Sequence, residues 1–229
     1  MTQWTAIVPI KRWSVAKSRL EVEGYAREVL AQAFAADLLA TVAACPEVQE
    51  FVIVSNQEKV GHLLPGGRGL VLEEPREAVD ALSSAIDVGV GWARTHRPLQ
   101  PIVIVPADLP ALTAPALSQV LRVASRHPRA FVPDVDGEGT TLLTGLRSEI
   151  VLHSYGPGSA GRHAELGAVA ITDAAAGARQ DVDTVEDLKR VSALGLGPHT
   201  AFAVHQLCVG AESGRQPTRS AYATDALPE

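Results

Sequence analysis

The segment Ile102-Val103-Ile104-Val105-Pro106-Ala107-Asp108-Leu109-Pro110 carries more information about the fold than any other part of this 229-residue chain. Four β-branched residues in a row, without polar alternation, describe a strand covered on both faces. Pro106 cannot donate to a ladder and ends it. Working outward, Thr5 to Pro9, Phe51 to Val54 and Gly69 to Leu72 repeat the pattern as short apolar runs closed by turn residues. Between them, Leu30, Phe34, Leu38 and Val42, with Leu39 beside them, recur at helical spacing until Pro46. A second helix is expected from about Glu77 to Arg94. Strand and helix thus alternate from residue 5 to about 127, which predicts a doubly wound parallel sheet. The pattern then changes. Ala130 to Pro133 and Thr141 to Leu146 read as strands around a turn-rich Asp134 to Gly139. A Gly/Pro loop, a helix, a strand from Ala168 to Thr172 and a final helix from about Thr184 to Leu194 follow. The expected organisation is one domain over residues 1–210, with 211–229 a polar, aperiodic and disordered tail.

Composition excludes several classes. With 46% hydrophobic and 20% charged residues the chain can bury a large core. Two cysteines, Cys45 and Cys208, make neither a disulfide framework nor a metal knuckle. A net charge of −6 argues against a nucleic-acid backbone as partner. No apolar run approaches the ~18 residues of a membrane span, and Ala6 to Ile10 is too short for a signal peptide. A cytoplasmic protein, monomer or homodimer, is expected.

Ligands of open parallel sheets bind beyond the carboxyl ends of the strands, so the loops there are the ones to read. No GxxxxGK[ST], HExxH or GxSxG motif occurs, and no GxGxxG follows a strand. Asp134-x-Asp136 fails as a calcium loop because its twelfth position is Gly145. Lys11, Arg12, Lys17 and Arg19 place four cations after the first strand, either a solvated turn or a seat for a polyanion such as a triphosphate. Asp108 is either a turn aspartate or a ligand for a hard cation. Asp181 and Asp183 point the same way along an extended backbone, while Thr184 and Asp187 form a capping box that does not account for Asp181. Two carboxylates near a triphosphate would each repel it by about 4 kcal/mol at about 4 Å and an effective dielectric near 20. If all line one crevice, a divalent metal must sit between them, and oxygen ligands imply Mg²⁺. Gly156-Pro157-Gly158-Ser159-Ala160-Gly161-Arg162-His163 is a turn leading into a helix with Ser159 as its expected N-cap, or an anion site using free amides and Arg162.

In order along residues 5 to 195, Pro9-Ile10-Lys11 with Ala16-Lys17-Ser18-Arg19-Leu20, Ala107-Asp108-Leu109-Pro110 and Gly139-Thr140-Thr141-Leu142-Leu143 form a recognisable series. Tyr155-Gly156-Pro157-Gly158-Ser159-Ala160 with Arg162-His163, and Asp181-Val182-Asp183-Thr184 with Asp187-Leu188, complete it. This series resembles the phosphoenolpyruvate or 2-phospho-L-lactate guanylyltransferases of coenzyme F-420 (deazaflavin) biosynthesis. The resemblance implies an α/β, Rossmann-like three-layer nucleotidyltransferase domain, nucleotide-diphospho-sugar transferase-like, with a mixed, mostly parallel sheet. It also implies that Asp108 and Asp181 bind Mg²⁺, with Asp183 a further candidate ligand. Thr140, Gly156 and Ser159 would hold a small phosphorylated three-carbon acid, helped by Arg162 and His163. Lys11, Lys17 and Arg19 would hold the triphosphate of GTP, with Asp108, Lys17 and Asp181 forming the catalytic set. Relatives carry Gly-Leu-Asn in the nucleotide region where this chain has Ala81-Leu82-Ser83, which leaves Ser83 as the candidate contact. The implied reaction joins GTP and phosphoenolpyruvate with loss of pyrophosphate. Other acceptors are 2-phospholactate and 3-phosphoglycerate; other functions are a sugar-phosphate or molybdenum-cofactor nucleotidyltransferase and a non-catalytic nucleotide sensor.

Overall fold

A computed structural model describes residues 2–15, 20, 24–67, 69–75 and 80–213. The sheet begins with β1 (Trp4–Pro9), β2 (Val48–Val54), β3 (Leu70–Leu72) and β4 (Ile102–Ile104). It continues with β5 (Arg129–Pro133), β6 (Thr140–Gly145) and β7 (Val169–Ala170). Their order is β3-β2-β1-β4-β6-β5-β7. The pairs β1–β2, β1–β4, β2–β3 and β5–β7 are parallel, and β6 runs antiparallel between β4 and β5. The sheet is therefore mixed and mostly parallel. From β1 the chain moves outward to β2 and β3, then returns to place β4 on the other side of β1. That reversal opens a crevice at the carboxyl ends of β1 and β4.

The uninterrupted apolar strands are buried on both faces. Trp4, Ala6 and Val8 of β1, with Phe51, Ile53 and Val103, point into one core beneath α1 (Gly24–Ala44) and α3 (Ala114–Ala124). Ile7, Val52, Val54, Ile102 and Ile104 point into a second core, under α2 (Ala81–His96) and α4 (Ser159–Glu165). Period-two alternation between two apolar layers is what a sandwiched strand requires.

The helix ends follow local chemistry. Helix α2 starts at Ala81, later than the expected Glu77, because the Asp80 carboxylate accepts from the N–H groups of Leu82 and Ser83 at 3.1 and 3.2 Å. Residues 76–79 lie outside the described set. The strand expected from Ala168 to Thr172 is paired only over Val169–Ala170, at the sheet edge. After α5 (Ala176–Arg179), α6 (Val185–Leu194) begins with the expected capping box of Thr184 and Asp187.

Helix α6 is not the last. Helix α7 (Pro198–Ser213) packs on α1, taking in residues 211–213 of the expected tail. Residues 214–229 lie outside the described set. Its start is capped from far away: buried Asp37 of α1 accepts from the N–H groups of His199 and Thr200 at 3.0 and 2.8 Å. Val29, Leu30, Ala33 and Phe34 of α1 meet Ala203 on that side, so α1 has two apolar sides, one toward the sheet and one toward α7. Among the described residues, no helix is long and apolar enough to cross a membrane.

Candidate active site

The crevice at the strand reversal has a volume of about 820 Å³. Lys11 and Trp13 line it from the loop after β1, Asp108 from the loop after β4, and Thr140 from the start of β6. Tyr155 to Ser159 and the pair Asp181 and Asp183 close the far side.

Asp108, Asp181 and Asp183 are half-buried, and one carboxylate oxygen of each lies within 4.8 Å of the others. Backbone pairing sets this up. The Val182 N–H donates to the Asp108 carbonyl at 3.1 Å, joining segments distant in sequence. The Val182 side chain is fully buried in the core beside α1 and α6, so its two neighbours in the extended chain face the opposite way. Three carboxylates this close repel one another strongly in a partly buried site, and an all-oxygen donor set suits a hard divalent cation. Asp187, nearby in sequence, is spoken for. Burial alone would raise its pKa, but hydrogen bonds from the Thr184 hydroxyl and the Thr184 and Asp183 amides hold it below the ordinary value.

On the acceptor side, Gly156 and Gly158 take φ of 109° and 72°, a region that favours glycine and lets the loop fold back on itself. Gly158, not Ser159, is the N-cap of α4; Ser159 is the first helical residue, buried and facing the crevice. The Arg162 guanidinium reaches the carbonyls of Ser154, Tyr155 and Pro157 at 3.0, 3.2 and 2.5 Å and the Ser154 hydroxyl at 2.9 Å. It braces the loop from behind and is absent from the crevice lining. His163 is fully buried and likewise does not line the crevice. Its Nδ1 lies 2.8 Å from the Thr140 hydroxyl, and its Nε2 accepts from the Ser154 N–H at 2.9 Å. Burial first, then the charges of Arg162 and His153, push its pKa from 6.5 to about 4, so the ring is neutral near pH 7. The expectation that Arg162 and His163 help hold a ligand by touching it thus meets two side chains set one layer behind the surface.

On the other side, the Ser55 hydroxyl donates to the Ile10 carbonyl at 2.6 Å, and the Gln57 side chain accepts from the Trp13 N–H at 2.9 Å. These bonds pin the loop that presents Lys11. Lys17 and Arg19 lie outside the described residues. Ser83 does not line the crevice; its hydroxyl donates to Asp80 at 2.6 Å, which with the Ser83 and Leu82 amides holds the Asp80 pKa below its ordinary value. Leu82, one residue earlier, does line the crevice. Sequence reasoning passed over Ser55 and Gln57, although a Ser-Asn-Gln run at the carboxyl end of a buried strand was a usable signal. It also gave no role to Tyr155, whose buried hydroxyl lacks a hydrogen-bond partner among the described residues.

A model of the MobA-like NTP transferase domain matches residues 16–208. A phosphoenolpyruvate guanylyltransferase of Streptomyces coelicolor is 40% identical over 214 residues, covering 92% of this chain and all of that protein. Another, of Streptomyces scabiei, is 39% identical over 90% of this chain and 98% of its own length. Among solved structures, a candidate nucleotide-diphospho-sugar transferase from Desulfovibrio desulfuricans G20 superposes with a TM-score of 0.66. The match covers 95% of this chain and all of that one, and at 16% identity it speaks for the fold alone. The expected three-layer nucleotidyltransferase architecture is thus the observed one. By sequence and by fold, this chain belongs to the MobA-like NTP transferases and, within them, to the phosphoenolpyruvate guanylyltransferase family.

Proposed function

We propose that the protein transfers the guanylyl group of GTP to phosphoenolpyruvate, giving enolpyruvyl-diphospho-5'-guanosine and pyrophosphate, a step of deazaflavin coenzyme F-420 biosynthesis. The observation that carries this reading is the convergence of Asp108, Asp181 and Asp183 in one crevice with Lys11 at one end and Thr140 and Ser159 at the other. A phosphate oxygen of the acceptor attacks the α-phosphorus of GTP, and the bond from that phosphorus to the β-phosphate oxygen breaks. The attacking oxygen is already ionised, so no side chain has to remove a proton.

Mg²⁺ fits the three carboxylates, and once bound it supplies charge neutralisation between nucleotide and acceptor. The chain itself does the aligning. Lys11, Lys17 and Arg19, from the stretch of sequence that follows β1, hold the triphosphate. Thr140, Gly156 and Ser159 hold the acid on a loop that Arg162 keeps in shape. Alignment and charge balance are sufficient for phosphoryl-type transfer.

The test is pyrophosphate release from GTP and Mg²⁺ with phosphoenolpyruvate, 2-phospholactate or 3-phosphoglycerate in turn. Release with phosphoenolpyruvate is expected, and preference for another acid replaces the acceptor. Asp108→Asn and Asp181→Asn are each expected to lower turnover by about a hundredfold or more while circular dichroism stays native. No release with any acid, or near-normal turnover in both variants, overturns the reading.

A further inference from the structure

His163 sits on α4 without solvent exposure, its ring meeting that of Tyr155 edge-on at 5.3 Å and that of Phe131 at a tilt at 5.9 Å. A backbone N–H can only donate, so the bond from Ser154 requires an unprotonated Nε2. A neutral imidazole then carries its hydrogen on Nδ1, and the Thr140 oxygen, 2.8 Å away, must receive it. The hydroxyl hydrogen of Thr140 is left to point elsewhere, and the side chain lines the crevice. Protonating His163 would break this arrangement, because Nε2 would become a donor facing the Ser154 N–H. Burial and the neighbouring charges of Arg162 and His153 keep the ring neutral.

We propose that His163 is a positioning residue that commits the Thr140 hydroxyl hydrogen to the crevice, so that the site offers a fixed donor there and favours an ionised phosphate or carboxylate oxygen. A neutral hydroxyl or amide oxygen could accept the same hydrogen, but a hydrogen bond to an ionised oxygen is roughly twice as strong. The inference rests on the reading that Thr140 faces the acceptor acid.

Three variants and one spectrum test it. His163→Leu fills the space without a donor, His163→Asn returns an N–H near the Nδ1 position, and Thr140→Val removes the hydroxyl. The KM for phosphoenolpyruvate should rise about tenfold in the Leu and Val variants, the effect of losing one hydrogen bond to a charged group. The Asn variant should restore most of it, and the KM for GTP should stay unchanged throughout. Nitrogen NMR of the wild-type imidazoles should show His163 protonated at Nδ1 and bare at Nε2. A Leu variant with the wild-type acceptor KM, or an equal rise for GTP, overturns the proposal. So does the opposite tautomer. Should the Leu variant not fold, the tautomer of the wild-type protein decides. If wild-type protein releases no pyrophosphate with any acid, the functional reading falls, while the spectrum still reports whether Thr140 is a committed donor.

Discussion

The two walls of the crevice are built differently. The wall formed by β1, β2 and β3 is a set of parallel strands whose loops are pinned by small neutral side chains, Ser55, Asn56 and Gln57. Its cations Lys11 and Arg12 remain exposed. In the opposite wall, around β5, β6 and α4, the cations face inward. Arg162 is consumed by the carbonyls of residues 154, 155 and 157, and Arg179 by those of Pro133, Asp134 and Thr172. Arginine offers a rigid fork of donors, so it can organise a loop whose own amides and hydroxyls then meet the ligand. A basic residue in a loop at the crevice is therefore a brace on one wall and an exposed group on the other.

Breaking the braces should have the largest effect. Arg162→Ala leaves several loop carbonyls without a donor and is expected to cost about 3 to 5 kcal/mol of stability. It should also raise the KM for the acceptor, and Arg162→Lys should not restore either, because an ammonium cannot span three carbonyls. Lys11→Ala is expected to raise the KM for GTP several-fold with an unchanged melting temperature. Thermal melts and steady-state kinetics of both variants check the contrast; equal melting temperatures would erase the distinction between the walls.

Next comes pH. His163 has a folded-state pKa of about 4, below the 6.5 of an exposed imidazole, mainly through burial and then through Arg162 and His153. Between those values the unfolded chain binds the proton and the folded chain does not, so stability falls as pH drops from 6.5 toward 4 and levels off below. The contribution is about 3 kcal/mol. Urea denaturation across this range should show a shallower slope in His163→Asn than in wild type. Identical slopes would mean that the ring titrates normally.

Much of this was legible beforehand, for definable reasons. Strands buried on both faces announce themselves as unbroken apolar runs, and the loop after such a run, carrying Asp108 or Lys11, lies at the crevice by topology alone. Asp181 and Asp183 were readable as two side chains turned one way, because Val182 between them belongs in the core. Helix α7 was hidden because its N-terminal cap is Asp37, more than a hundred and sixty residues earlier, and because its apolar residues show no simple stripe. The roles of Arg162 and His163 were hidden for a related reason. Sequence proximity places them at the loop, but only the direction of each hydrogen bond tells a ligand from a support.

The smallest effect concerns Tyr155, which lines the crevice on the wall braced by Arg162. Its carbonyl is held by Arg162, its ring rests on His163, and its hydroxyl is buried with no partner among the described residues. Burial first, and then the charge of Asp108, push its pKa well above the ordinary phenol value, so the hydroxyl keeps its hydrogen. A buried polar atom with no partner costs stability, and removing it costs none of the ring packing. Tyr155→Phe is therefore expected to raise the stability of the ligand-free protein by about 1 kcal/mol, opposite in sign to Arg162→Ala although the two residues touch. A melt in the absence of nucleotide, metal and acid measures it. A fall in melting temperature would show that the hydroxyl already serves the fold, and would move Tyr155 from the ligand-facing surface of the crevice to the set of braces behind it.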